Sequence, residues 1–378
     1  MYLKHLYLKQ FRNYWEQAAS FEAPRIILVG DNAQGKSNVL EAVELLSTLR
    51  SHRASRDRDL VLNSTENSPT MGQISATVER QAGTIDLKLI LRTNGSRTLA
   101  VNNEAQRRRR DFLGLLNVVQ FSSLDLDLVR GSPEMRRLWL DTLLTQLEPV
   151  YDPMLRQYQQ VLRQRNALLR GREGSSEVPP ELAFWDAQLV AIGVRLIRRR
   201  ARVLERLTPI AQAWHESISS SVEQLRIRYS PSVPWDGDSR SAPDQIEAAF
   251  FEKLYQRTVA ELARGTTLVG PHRDEVELLI NDTPARQYGS QGQQRTLVLA
   301  LKLAELKLIS EVVGESPLLL LDDVLAELDL TRQNQLLEAI ADRFQTLITT
   351  THLGTFAQHW LHSCQIFTVK AGRLTLLT

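Results

Sequence analysis

Thiols are nearly missing from this 378-residue chain, which carries one cysteine, Cys364. One thiol excludes an internal disulfide framework and any clustered-cysteine metal site, and the apolar residues around Cys364 suggest a core position rather than a reactive one. Long hydrophobic runs are missing too. No apolar stretch approaches the ~20 residues of a membrane helix. Residues 1–10 alternate apolar and polar like a strand instead of forming the apolar core of a signal peptide. The expectation is a cytoplasmic protein with no membrane partner. Nor does one sign of charge dominate: 46 Lys and Arg against 44 Asp and Glu leave a net charge of +2, which by itself names no partner. Internal repeats and long low-complexity tracts are also absent. What remains, 43% hydrophobic and 24% charged residues, is the composition of an ordinary globular protein. Its length allows roughly two or three domains with sizeable cores.

Two segments at opposite ends of the chain carry chemistry. Gly30-Asp31-Asn32-Ala33-Gln34-Gly35-Lys36-Ser37 fits G-x-x-x-x-G-K-[ST]. It follows the apolar run Ile26 to Val29 and leads through Asn38 into a helical pattern ending near Arg50, which is the strand, loop and helix context of a P-loop. The glycines let backbone N–H groups close around phosphates, Lys36 reaches the outer ones, and the Ser37 hydroxyl can hold Mg²⁺. Leu318 to Leu321 read as a buried parallel strand ending in Asp322 and Asp323. Bare carboxylates there could be a solvated strand end or a helix cap. Beside a P-loop, Asp322 fits a Mg²⁺ role and Asp323 the handling of the attacking water.

Lys36 and Asp322 must meet at one metal, yet most of the chain lies between them, so something is inserted. Thr84 to Arg92 and Arg97 to Val101 flank the turn dipeptide Asn94-Gly95 and predict a hairpin. From Ser132 through Arg170, and from Pro180 to about Gln224, apolar residues recur at helical spacing, broken by the turn at 171–176. A second loop rich in Ser, Asp and Pro spans 231–243. Strands return at Leu318 to Leu321, Thr346 to Thr350 and Gln365 to Val369, with helices at Gln293 to Val312 and Thr331 to Arg343. The expected architecture is an α/β P-loop head, residues 1–125 and 263–378, split by an inserted α-helical arm lobe, residues 126–262.

Several further groups admit two readings each. Ser290-Gln291-Gly292-Gln293-Gln294-Arg295 opens a helix, where it fits either plain capping or an anion site. His352, after Thr349-Thr350-Thr351, is either exposed and structural or within reach of a γ-phosphate. Asp329 suits an ordinary cap for the helix after it and also a place near the site. Two arginine clusters, Arg107, Arg108, Arg109 and Arg110, and Arg195, Arg198, Arg199, Arg200 and Arg202, either display charge to water or bind nucleic acid. Gly270-Pro271-His272-Arg273-Asp274 is a turn to which physics alone assigns no task.

Together these residues resemble the RecF family of recombination and repair proteins, relatives of SMC and ABC ATPase heads, over nearly the full chain. The resemblance rests on Phe11-Arg12-Asn13-Tyr14, Gly30 to Asn38, Ser51-His52-Arg53, Phe121 to Asp141 around Val129-Arg130-Gly131-Ser132-Pro133, Gly270 to Asp274, Ser290 to Thr296, and Leu318 to Asp329. It implies an ABC-type head that binds ATP with Mg²⁺ and dimerises on it. Ser290, Gln291, Gly292, Gln293 and Arg295 then look like the signature motif, which contacts ATP held by a second protomer. His352 looks like the switch histidine, Asp329 like the aspartate crossing the interface, and Gln120 like the glutamine that couples metal to the arm. Asp323 stands where many ABC ATPases carry glutamate, which suits slow hydrolysis. The implied partners are duplex DNA, its junctions with single strands at gaps, and the mediators RecR and RecO. A motor-type ATPase and a nucleotide-binding scaffold without turnover remain as competing readings.

Overall fold

The computed structural model describes residues 1–54, 56–62, 69–171, 178–219, 223–235, 243–340, 343–356 and 358–377. In chain order the first strands are β1 Tyr2–Phe11, β2 Tyr14–Ser20 and β3 Arg25–Val29, followed by helix α1 Lys36–Thr48. Next come β4 Met71–Arg80, β5 Gly83–Arg92, β6 Arg97–Val101, β7 Glu104–Gln106 and β8 Val118–Ser122. Helices α2 Asp127–Arg130, α3 Pro133–Leu147, α4 Tyr151–Arg170 and α5 Leu182–Ile218 lead to β9 Leu225–Ser230 and α6 Pro243–Arg264. Then follow β10 Glu275–Ile280, β11 Thr283–Pro284, α7 Ala285–Tyr288 and α8 Gln291–Val313. The chain closes with β12 Leu318–Asp322, α9 Leu330–Ile340, β13 Thr346–Thr350, α10 Gln358–Leu361, β14 Cys364–Lys370 and β15 Arg373–Leu376.

Contacts divide the chain into two units, Met1–Asp125 with Leu299–Thr378, and Leu126–Val298. The first holds two six-stranded sheets. One is antiparallel, in the order β2-β1-β4-β5-β6-β7, and contains the hairpin at Asn94-Gly95. In the other, β15-β14-β3-β13-β12-β8, the strands from β14 to β8 are parallel and β15 is an antiparallel edge. One buried cluster joins both sheets through α1, whose Val39, Leu40, Ala42, Val43, Leu45 and Leu46 are fully buried. A helix apolar nearly all round belongs between two layers. Leu318 to Leu321 are likewise buried, because β12 lies between β8 and β13 with both faces covered. Cys364 proves half-buried at the start of β14; burial pushes its thiol up to about 11, which keeps it unreactive.

The second unit is helical, but it also carries the sheet β11-β10-β9, which helical periodicity hid. Its boundary differs from the expected 126–262. Antiparallel pairing of β10 with β9, from Glu275 opposite Ser230 to Ile280 opposite Leu225, ties residues after 263 to this unit. The helical texture from Ser132 to Arg170 is two helices, parted at Glu148 to Val150. The turn at 171–176 and the loop at 231–243 fall largely in 172–177 and 236–242, outside the described residues.

Gly270 to Asp274 finds its task here. Asp274 is 1% exposed and accepts from Arg200, from the Tyr229 hydroxyl and from the Ser232 N–H. Arg200, 2% exposed, also grips Asp141 through Nε and Nη2 at 3.0 Å each and donates to the Pro271 carbonyl at 2.5 Å. The expectation that Arg200 belongs to a nucleic-acid surface is therefore corrected. A buried guanidinium needs carboxylate partners and has found two. Arg199 pairs with Glu148 at 2.8 Å, and Arg198 is half-buried; the exposed members of this run are Arg195 and Arg202.

Candidate nucleotide-binding site

The parallel sheet brings the chemistry to its C-terminal edge. β3 runs out at Val29 into the loop at Gly30, with Thr350 of β13 beside Val29, and Asp322 of β12 beside Thr349. Ligands of open parallel sheets collect at this edge, outside the carboxyl ends of the strands. Residues 30–35 then turn tightly. Ala33 and Gly35 take left-handed φ values of 62° and 116°, and a Cβ on Gly30 would sit 2.3 Å from the Val369 carbonyl oxygen. The loop is fastened from outside, since Asn13 Nδ2 and the Gly372 N–H both donate to the Gln34 carbonyl, at 2.8 and 3.0 Å.

Ser37 Oγ donates to Asp322 Oδ1 at 2.7 Å, closing a sequence gap of 285 positions. The same oxygen accepts from Thr349 Oγ1 at 2.8 Å, and Thr349 Oγ1 accepts from the Asp323 N–H at 2.9 Å. Lys36 curls back over the loop, its Nζ donating to the carbonyls of Gly30 at 2.7 Å and Asp31 at 3.0 Å. A cavity of about 600 Å³ opens here, lined among others by Asn32, Ala33, Lys36, Ser37, Asn38 and Asp323. Asp323 occupies a left-handed turn, φ 53°. Burial raises its carboxyl pKa and Asp322 adds to this, while Lys36 and the Thr349 hydrogen bond oppose it.

The hydroxyl and carboxylate of Ser37 and Asp322 are hard oxygen donors. Among the described residues no group of three or more His, Cys, Asp or Glu forms a metal cage. That is the donor set Mg²⁺ accepts, one or two protein oxygens completed by phosphates and water.

The other expected residues are placed as follows. Gln120 lies on β8 in register with Leu320, below Asp322. Its amide nitrogen faces His52 Nε2 at 3.3 Å and its Oε1 is buried without a partner, so it is bonded to neither Ser37 nor Asp322. His52 is held by Glu44 at 2.7 Å; burial lowers its pKa, but Glu44, Glu41 and Asp125 outweigh this and raise it. His352 is exposed in the turn after β13, with Thr351 Oγ1 at 2.8 Å from its Nδ1. Asp329 caps α9, accepting from the Arg332 N–H at 3.0 Å and pairing with the Arg332 guanidinium.

Ser290, in the second unit, stands just before α8 and forms a reciprocal capping box. Its N–H donates to Gln293 Oε1 at 2.7 Å and its Oγ accepts from the Gln293 N–H at 3.2 Å. Gln291 is exposed there, and Gly292 and Arg295 are half-buried. Arg107, Arg108 and Arg110 are exposed and Arg109 is partly covered. Nothing local in the sequence marks Asn13 as a fastening of the phosphate loop. The one available signal for Thr349 is a polar residue ending an apolar strand.

A P-loop closed by a strand-end aspartate on a mixed sheet, with a helical unit inserted between them, defines an ATPase head of the ABC type. The model of the RecF/RecN/SMC N-terminal domain family matches residues 2–375, and the chain belongs to that family, in its RecF branch. It is 66% identical to the DNA replication and repair protein RecF of Cyanothece sp. over 98% of this chain and 97% of that one. Against the RecF of Nostoc punctiforme the identity is 64%, over 99% of each chain. A solved structure of the recombination mediator protein RecF with ATP in the RecFOR pathway superposes with a TM-score of 0.90 at 31% identity, covering 100% of this chain and 98% of the other. The Smc head domain of Pyrococcus furiosus, at 15% identity and a TM-score of 0.55, shares the fold.

Proposed function

We propose that this protein is an ATP-dependent DNA-binding clamp of recombinational repair and replication, with a slow ATPase that resets it. The observation that carries the reading is the 2.7 Å contact between Ser37 and Asp322, which assembles both halves of a phosphate and metal site from distant parts of the chain. Lys36 releases the loop carbonyls and takes the outer phosphates. Ser37 and Asp322 hold Mg²⁺, which when bound neutralises charge on the transferred phosphoryl group. Asp323 orients the attacking water and takes its proton. The products are ADP and phosphate.

Two copies close on ATP, Ser290 of each meeting nucleotide held by the other, with Asp329 at the seam and His352 near the γ-phosphate. Arg107, Arg108 and Arg110 are exposed cations suited to duplex backbone. Likeness to a recombination mediator of the RecFOR pathway supports RecR and RecO as partners, and gapped DNA as substrate with recombinase loading as the outcome completes the proposal.

Subunit mixing tests the shared site. Lys36→Met and Ser290→Arg each abolish hydrolysis alone, because every site then lacks a P-loop lysine or has its seam filled by a bulky charge. In a mixed dimer both defects fall in one site and the other stays whole. Half the dimers in an equal mixture are mixed, so about a quarter of the sites recover. DNA retention tracks dimer formation and weakens steeply with salt. A mixture that stays dead, while the wild type dimerises, overturns the mechanism.

A further inference from the structure

Resting on that shared-site reading, we infer that Glu223 is a positioning residue for the signature turn, orienting the Gln293 amide and through it Ser290. Glu223 Oε1 accepts from Gln293 Nε2 at 2.9 Å, across 70 positions of sequence. An ionised carboxylate can only accept, so it takes the NH₂ end of the amide. The carbonyl end is thereby turned onto the Ser290 N–H, where Gln293 Oε1 accepts at 2.7 Å. This is the half of the capping box that a free amide would satisfy in only one of its two orientations.

The backbone next to Glu223 is pinned. Its neighbour Gln224 exchanges hydrogen bonds with Asn281, donating to Asn281 Oδ1 at 2.8 Å and accepting from the Asn281 N–H at 2.9 Å. The second carboxylate oxygen faces His215 Nε2 at 3.7 Å, beyond hydrogen-bond reach. Burial lowers the pKa of that imidazole against the opposing pull of Glu223, and at 3.7 Å the ring does not compete with Gln293 for a hydrogen bond to the carboxylate. The Glu223 side chain is 18% exposed, so a longer polar residue fits there without being entombed.

A donor-only side chain at 223 inverts this order. With Glu223→Lys the amide turns its carbonyl to the ammonium and presents NH₂ to the Ser290 N–H, two donors face each other, and the turn loses its geometry. Glu223→Gln keeps an acceptor and restores it.

The experiment measures ATP binding and hydrolysis for both full-length variants and their mixtures. Glu223→Lys binds ATP like wild type yet hydrolyses it at least about tenfold more slowly, as expected for a lost hydrogen bond to a charged group. Glu223→Gln stays within about threefold of wild type, the weaker effect of a neutral acceptor. Mixed with Lys36→Met, the Glu223→Lys subunit recovers activity as Ser290→Arg does; mixed with Ser290→Arg it recovers none, since both sites then lack a working signature. Full activity of Glu223→Lys alone, equal damage in Glu223→Gln, or recovery with Ser290→Arg overturns the inference. A dead Glu223→Lys and Lys36→Met mixture beside a live Ser290→Arg and Lys36→Met control sinks this inference alone. A dead control overturns the shared-site reading and this inference with it.

Discussion

Replacing Arg200 by methionine tests whether that arginine is structural. The substitution keeps much of the side-chain volume and removes a guanidinium that bonds Asp141 at 3.0 Å through two nitrogens and Asp274 at 3.2 Å. Both carboxylates stay buried, at 8% and 1% exposure. Breaking a buried pair from one side costs about 3–5 kcal/mol. Some donors survive, the Tyr151 hydroxyl on Asp141 at 2.6 Å and the Ser232 N–H on Asp274 at 2.8 Å, which places the loss near the lower end, about 3 kcal/mol. The effect has a pH signature. Burial already raises the pKa of Asp274, and Arg200 is the main group opposing it. Without Arg200 the folded-state pKa rises further above its unfolded value. A group shifted that way contributes stability below the unfolded pKa and loses it as pH rises through the folded one. The deficit of the variant is therefore smallest in acid and grows as pH rises toward neutrality. Urea unfolding followed by circular dichroism at both ends of that range reads it, while DNA retention per folded molecule stays unchanged. An unaltered midpoint at every pH, or a folded variant that has lost salt-sensitive DNA binding, refutes the structural assignment.

Asp323→Asn retains ATP and accumulates as a nucleotide-bound dimer by light scattering, with hydrolysis reduced by about 10²–10⁴-fold; a monomer under saturating ATP argues against its role. Thr349→Val takes one hydroxyl donor from Asp322 and leaves the Asp323 N–H without its acceptor. It costs about 1–3 kcal/mol of stability and raises the Mg²⁺ concentration needed for half-maximal hydrolysis; unchanged Mg²⁺ dependence sinks the positioning role.

Much of the head could be read from local pattern, because its elements are specified by short-range physics. The P-loop needs glycines at fixed spacing, β12 needs an unbroken apolar run, and the β5–β6 hairpin needs its Asn-Gly turn. The same locality explains Ser290 and Asp329, whose caps lie within a turn of helix. Local pattern was silent on charge partners: the run of arginines in α5 looked like one surface, yet Arg195 and Arg202 face solvent while Arg200 is buried between Asp141 and Asp274. Helical periodicity at three and four exposes which residues share a face, not what lies opposite that face. The sequence by itself therefore determined the phosphate loop, the strand-end aspartates and the insertion between them. Only the tertiary structure decided that Ser37 meets Asp322 through a sheet edge, that Thr349 braces both aspartates, and that Glu223 reaches Gln293. Each of these depends on strand register and chain crossing, which are set by burial of the whole core and not by any residue's immediate neighbours.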